Sequence, residues 1–488
     1  MNRRTITEIG SFFVLLLAAG VGSAAQTVTT VANFNNLNGN YPIAPVMQAR
    51  DGNLYGTTLL GGAYGGGSVF KLTQNGNLTT LYSFCGQFPC VDGQLPGAGL
   101  LEASDGNLYG STLSGGNSQN CDFGCGTVFK ITSAGKLTTL YSFNNSDGAG
   151  PVGTLLEGSD GNLYGTTAGG GDSSCYEGNC GTAFKLTKQG VLTRLYSFCA
   201  QQDCTDGSIP TGSLIQGNDG NLYGTTTFGG AVGNCNSFFY YGCGTIFRLT
   251  RSGRFTTLYS FCTQQGCPDG EQPSGGLARD LDGTFYGTTG FTVFKVSSGG
   301  KLTTLHTFCA QNGCPDGAGP YGSLIRGTDG NFYGTNSENG VGGEGTIFRV
   351  SATGDFAAVY SFHCDDGGCP QGRQPFSGLV QHTTGDFYGT TSSGGAYGDG
   401  TVFELSVGFG PFVTFVRDSG RAGSSGGILG QGFSGTTAVS LNGTPAQFEV
   451  VSDTFIRATV PPGATTGYVT VTTPTGTLTS NKQFIVVR

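Results

Sequence analysis

Sixteen cysteines carry the clearest chemical signal in this chain, because all of them fall into eight close pairs. Five pairs share the form C-x4-C: Cys85 with Cys90, Cys199 with Cys204, Cys262 with Cys267, Cys309 with Cys314, and Cys364 with Cys369. Three more are Cys121 with Cys125, Cys175 with Cys180, and Cys235 with Cys243. An even count of local pairs favours disulfides made in an oxidising compartment, whereas zinc needs about four ligands and each pair supplies two. Closing so short a loop restricts the unfolded chain by ~2 kcal/mol when unstrained, so the bridges mainly stiffen individual loops. No metal and no cofactor is expected.

Other residue types offer less. The three histidines, His306, His363 and His382, stand beside no nucleophile or ligand motif and read as packed or surface residues. An aspartate recurs in Asp-Gly-Asn, but its spacing lacks the alternating oxygen ligands of a calcium loop, and tight hairpins need these same residues for positive φ. Glu102 and Glu157 occupy equivalent positions, where other units carry Gln48, Gln216, Arg279, Arg326 and Gln381. A polar ring lining a channel follows more readily than two carboxylates facing each other across a sugar. No catalytic residue is assigned. Four consecutive aromatics, Phe238, Phe239, Tyr240 and Tyr241, sit inside the Cys235 to Cys243 loop. Rigid aromatic surface of this kind stacks on sugar rings or anchors a protein partner, and the competing reading is that it covers a neighbouring unit.

The elements that must position these residues are set by internal repetition. DGNLYGTT or DGNLYGST begins at Asp51, Asp105, Asp160 and Asp219, and looser copies contain Tyr286, Tyr333 and Tyr388. The seven repeat tyrosines are separated by 54, 55, 59, 63, 47 and 55 residues, a period that suits propeller blades. Each unit holds four segments of strand composition between glycine-rich turns. In the second unit these read GAGLLEAS (strand A), LYGST (B), GTVFKIT (C) and LTTLYSF (D). Strand C recurs seven times but strand D follows it only six times. Residues 28–34, VTTVANF, supply the missing copy, so the amino-terminal strand is expected to complete the last unit and close a seven-bladed β-propeller.

These units resemble the GloVer tandem repeats of secreted bacterial proteins with a choice of carboxy-terminal anchors, carried by the DGNLYGTT, GTVFKLT and LTTLYSF segments over roughly residues 28–406. The resemblance implies an extracellular repeat protein, without a defined molecular activity. From about residue 410 the vocabulary changes to ILGQGFSG, AVSLNG, AQFEVVS, FIRATVPP and GYVTVTT. That stretch is similar to an IPT/TIG immunoglobulin-like domain, which implies a β-sandwich used as a spacer or interaction module.

At the amino terminus Arg3 and Arg4 precede an apolar run over 12–21 and the small residues Gly22, Ser23, Ala24 and Ala25, the pattern of a secretory signal peptide. The expected organisation is therefore a signal peptide over 1–25, the propeller over 26–407 and the Ig-like domain over 408–488, all-β and secreted, with or without attachment to a cell surface. No transmembrane segment is expected in the mature chain. A formal charge of -8 repels phosphate backbones and disfavours nucleic-acid partners.

Antiparallel strand order places the AB and CD turns at one end of every unit and the BC and DA connections at the other. The second end holds every cysteine pair and nearly all the length variation, and function tends to reside on variable loops held by a rigid scaffold. The reading is a binding protein for an extracellular glycan or protein ligand, with no covalent chemistry. The alternatives are a carbohydrate-active hydrolase or lyase at the propeller axis and a structural envelope component.

Overall fold

The computed structural model describes residues 26–171, 180–231, 235 and 242–487, so the expected signal peptide lies outside it. In the second unit the strands Leu101–Glu102, Leu108–Thr112, Thr127–Ile131 and Leu137–Ser142 stand side by side, antiparallel in chain order. All five residues of Leu108–Thr112 are buried, because neighbouring sheets cover both of its faces. A Cβ on Gly110 in this strand would lie 2.5 Å from the Phe129 ring, which explains why LYG keeps a glycine under the strand C phenylalanine. The third sheet has a fifth strand, Ala149–Pro151, paired with Leu163–Gly169. It lies at the end of one of the two DA connections that lack a cysteine pair, the other being residues 34–46.

Seven such sheets form among the described residues, and the last one draws on both ends of the repeat region. Thr27–Asn33 pairs antiparallel with Thr401–Ser406, beside Phe387–Thr391 and Val380–Gln381. The register slips once, between Thr30 and Ala32, at the position where the other six C–D pairs also carry a bulge. The amino-terminal strand thus reproduces a strand D down to its irregularity.

Each sheet is joined to the next by one phenylalanine pair. The phenylalanine that ends strand D of one unit packs on that of strand C in the next: Phe84 on Phe129, Phe143 on Phe184, Phe198 on Phe247, Phe261 on Phe294, Phe308 on Phe348 and Phe362 on Phe403. Phe34 then meets Phe70 at 5.0 Å, which links the seventh sheet to the first. Burying each ring contributes about 1.5–3 kcal/mol, with about 0.5–1.5 kcal/mol more from edge-to-face geometry. A second set of links runs through the first hydroxyl after LYG. Thr57 Oγ1 donates to the Ala98 carbonyl at 2.9 Å, Thr335 to Ser377 at 2.6 Å, and Thr390, from the last sheet, to Ala44 in the first at 3.3 Å.

The seam between the last and first sheets also holds His382, whose Nε2 faces the Gly52 carbonyl at 3.1 Å while Nδ1 meets the Thr384 hydroxyl at 3.0 Å. Burial pushes this imidazole below the ordinary histidine range, against the opposing pull of the Gly52 carbonyl and Asp386. The unfolded chain therefore binds more protons than the folded one below the usual value of about 6.5, so stability falls as pH drops through that value. Melting temperature should decline between pH 7 and pH 5, and His382→Gln should flatten the decline; an unchanged slope in the variant would assign the pH effect to other groups.

The carboxy-terminal segment forms two four-stranded sheets. One orders Thr414–Phe415, Ser425–Leu429, Phe455–Thr459 and Phe448–Ser452; the other orders Thr444–Pro445, Ala438–Leu441, Val469–Thr473 and Gly476–Thr479. Val413, Phe433, Ile456 and Val471 are fully buried in a core that draws on both sheets. This unit rests on the AB/CD turn end of the repeats. Thr454 Oγ1 donates to the Arg50 carbonyl at 2.8 Å, Gln431 Nε2 to Thr383 Oγ1 at 2.9 Å, and Arg279 pairs with Asp418 at 3.2 Å. Its hydrogen bonds thus touch the first and last sheets together, across the seam.

Candidate functional site: the loop end of the repeats

Thirteen large apolar side chains are exposed among the described residues, and ten of them stand on BC or DA connections. The most exposed aromatics are Phe88 at 91%, Phe123 at 80%, Tyr397 at 66% and Tyr64 at 62%. Scattered single exposures are ordinary, but most of these gather at one end of the repeats.

Among the described residues seven disulfides stiffen this end: Cys85–Cys90, Cys121–Cys125, Cys199–Cys204, Cys235–Cys243, Cys262–Cys267, Cys309–Cys314 and Cys364–Cys369. The expected partnership of Cys175 with Cys180 involves Cys175, which lies outside the described residues, as do Phe238, Phe239, Tyr240 and Tyr241. Sequence spacing treats the pairs as separate, yet folding brings Cys235–Cys243 and Cys262–Cys267 together with Glu271, their ligand atoms within 4.8 Å of one another. All four sulfurs are engaged in disulfides.

A groove on this end has a volume of about 630 Å³ and lies on the first unit, lined by Tyr64, Thr80, Tyr82, Ser83, Gln87, Val91 and Asp92 among others. Tyr64 lies over Gly86, where an added Cβ would come within 3.1 Å of its ring. Asp92 accepts the Tyr82 hydroxyl at 2.8 Å and the Cys85 N–H at 3.2 Å, which pins the disulfide loop to strand D. Burial, then Asp92, push the Tyr82 hydroxyl well above the usual phenol range, so it remains a donor.

This aspartate is a loop anchor that sequence reasoning missed. Asp147, Asp206 and Asp269 hold Tyr141, Tyr196 and Tyr259 in the same way. The available signal was an Asp-Gly that recurs two residues after the second cysteine in four of the five C-x4-C pairs. His306 takes the tyrosine's place in the fifth unit, 2.9 Å from Asp316 and stacked on Phe356 at 3.7 Å, so it packs as the tyrosines do.

At the centre, seven Pro-x-small turns converge. Residues such as Ala44, Ala98, Gly153, Gly212, Gly275, Gly322 and Ser377 surround a cavity of about 120 Å³. A Cβ on Gly322 would lie 2.5 Å from the Gly378 nitrogen, so the turns approach one another backbone to backbone.

The polar ring lies at the turn end, and its members are spent on neighbouring sheets. Gln48, Glu102, Glu157, Gln216 and Gln381 each accept a backbone N–H from the preceding unit: Thr383 at 2.9 Å, Arg50 at 2.9 Å, Ser104 at 2.7 Å, Ser159 at 3.3 Å and Thr328 at 3.0 Å. Arg279 and Arg326 instead reach back to the Gln216 carbonyl and to Asp280. Burial pushes the Glu102 carboxyl up, while the adjacent Arg50 opposes it. The Asp-Gly-Asn aspartates are likewise occupied. Asp51 accepts the Asn53 N–H at 3.1 Å and the Tyr55 hydroxyl at 2.8 Å; burial works against its ionisation, but these bonds and Lys71 hold it below the usual range.

Architecture and loop chemistry together define the class: an all-β tandem-repeat protein with disulfide-braced loops and an appended carboxy-terminal module. The chain belongs to the Gloeobacter/Verrucomicrobia repeat family, matched over residues 18–239, 181–314 and 236–442, and an IPT/TIG domain matches residues 417–486. Among solved structures, one titled streptogramin B lyase is 16% identical, covering 78% of this chain and 98% of that one at a TM-score of 0.50. A novel fungal alcohol oxidase in complex with copper shares 13% identity over 92% of this chain and 98% of that one, at a TM-score of 0.48. A periplasmic gluconolactonase of Pseudomonas aeruginosa shares 16% identity over 72% and 99%, at 0.44. No curated protein matches the sequence. No helix among the described residues is long and apolar enough to cross a membrane.

Proposed function

We propose that the chain is an exported binding protein that captures an extracellular glycan or protein through the loop end of a seven-bladed β-propeller. On this reading residues 1–25 are a signal peptide, 26–407 form a propeller sealed by the amino-terminal strand, and 408–488 form an Ig-like sandwich. The cyclic series of phenylalanine and hydroxyl links supports the ring. The observation that carries the function is the concentration at the loop end of the exposed aromatics among the described residues, while the other end is capped by the carboxy-terminal domain. Disulfides lower the ordering cost of binding by holding these loops in place beforehand.

A glycoside hydrolase reading would need two carboxylates sharing an open cleft. Glu102 and Glu157 instead hold neighbouring sheets together, which favours a role without covalent chemistry. The test is a glycan array and a surface-protein pull-down using residues 26–488, with Tyr64→Ala/Phe88→Ala and a four-alanine replacement of Phe238, Phe239, Tyr240 and Tyr241. Selective binding that falls at least about tenfold in one of these variants is expected. Release of a cleaved product by the intact chain would transfer the case to the hydrolase or lyase, and silence in both assays would point to a structural envelope component.

A further inference from the structure

A second cavity lies at the opposite end of the repeats, in the seam between them and the carboxy-terminal domain. Its volume is about 170 Å³, and its walls include Arg50 and Ser104 from the first two units and Arg417, Ser419, Ser424, Ser425 and Arg457 from the carboxy-terminal domain. No aspartate or glutamate is part of the wall. Three arginines lining one cleft are unexpected in a chain of net charge -8.

The three arginines differ in how they are held. Arg50 is clamped by Glu102 through Nε at 2.6 Å and by the Ala103 carbonyl at 2.9 Å, and it lies over the Phe455 ring at 5.0 Å. Arg457 pairs with Glu449 at 2.8 Å, but both side chains are more than half exposed, so this pair can exchange with solvent or ligand. Arg417 donates Nε to the Ser419 carbonyl at 3.2 Å, and no carboxylate among the described residues pairs with it. Its neighbour Asp418 is already committed to Arg279 and Lys482. Glu157, near Ser104, is taken by Lys188 at 2.7 Å. One guanidinium fork is thus left uncompensated, beside two others and several serines.

We propose that this cleft binds a small oxyanion, a carboxylate, phosphate or sulfate group, between the two domains. A planar guanidinium offers paired donors that match such groups, and partial burial strengthens the attraction over that at an open surface. The volume suits one anionic group with a few waters, at roughly 30 Å³ per water. Because its donors come from both domains, an occupant bridges them and stabilises their contact.

The experiment is isothermal titration of residues 26–488 at low ionic strength with inorganic phosphate, sulfate and glucuronate in separate arms. Saturable 1:1 binding of at least one is expected, with a matching rise in melting temperature. Arg417→Gln should weaken it about tenfold or more, whereas Arg417→Lys keeps part of the affinity because it retains charge without the fork. Arg373→Gln, at the loop end, should leave it unchanged. Preference for glucuronate assigns the cleft to an acidic saccharide, and preference for phosphate or sulfate to an esterified ligand. Absence of saturable binding in all three arms, or undiminished binding in an Arg417→Gln protein whose near-ultraviolet circular dichroism is native, overturns the proposal. The site lies at the end of the repeats opposite the loops, so either result leaves the loop-end reading standing on its own test.

Discussion

A chain shortened to begin at Asn35 should fail to give a folded monomer, whereas one beginning at Gln26 should fold normally. The nine residues that separate these variants include the whole of Thr27–Asn33, the fourth strand of the last sheet, and Phe34, which is fully buried. Removing them exposes the Thr401–Ser406 edge, an unpaired strand that invites association with other chains. It also leaves Phe70 without the ring that covers it at 5.0 Å. Phe34→Ala alone should cost about 3–5 kcal/mol, the range for deleting a buried phenylalanine ring. Size-exclusion chromatography and urea unfolding decide the matter. A truncated chain that elutes as a monomer with unaltered unfolding would show that the strand is dispensable, and the closed-ring reading would fall with it.

The second large effect concerns the buried carboxylates. Glu102→Ala and Glu157→Ala should each destabilise the protein by about 2–4 kcal/mol, because each removes a buried carboxylate that a part-buried backbone N–H and a cationic side chain share. The upper end is discounted because Arg50 and Lys188 retain some access to solvent. Glu102→Gln and Glu157→Gln should cost only about 1 kcal/mol, in line with the modest worth of a single hydrogen bond. The protein itself supplies the reason: Gln48, Gln216 and Gln381 perform the same N–H acceptance in other units. A catalytic carboxylate behaves in the opposite way, losing activity on conversion to glutamine with stability retained. Urea midpoints for the two pairs of variants separate these roles.

Much of the fold was legible because it is written several times over. The DGNLYG[ST] segment makes a turn whose aspartate caps its own backbone two residues on, an interaction local enough to be read from one copy. The missing strand D could be counted from composition alone, and its pairing with Thr401–Ser406 is what that count requires. The cysteine pairs were legible for the same reason, their partners being four to eight residues apart.

Less of the candidate site was legible. Tyr64 and Phe88 look like any aromatic residues in a chain rich in buried ones, and only packing shows that they face solvent. Asp92 reads as a turn residue until Tyr82, ten positions upstream, is seen to donate to it.

From sequence alone came the strand vocabulary, the number of units, the place of the amino-terminal strand and the local disulfide pattern, because each depends on residues near one another in the chain or on a pattern repeated along it. Only the tertiary structure decided that the carboxy-terminal domain caps the turn end, that the polar ring staples adjacent sheets, and that Arg417 faces an anion-sized cleft. Those facts arise from surfaces built by residues far apart in sequence, such as Arg50 and Thr454, whose contact no local propensity encodes.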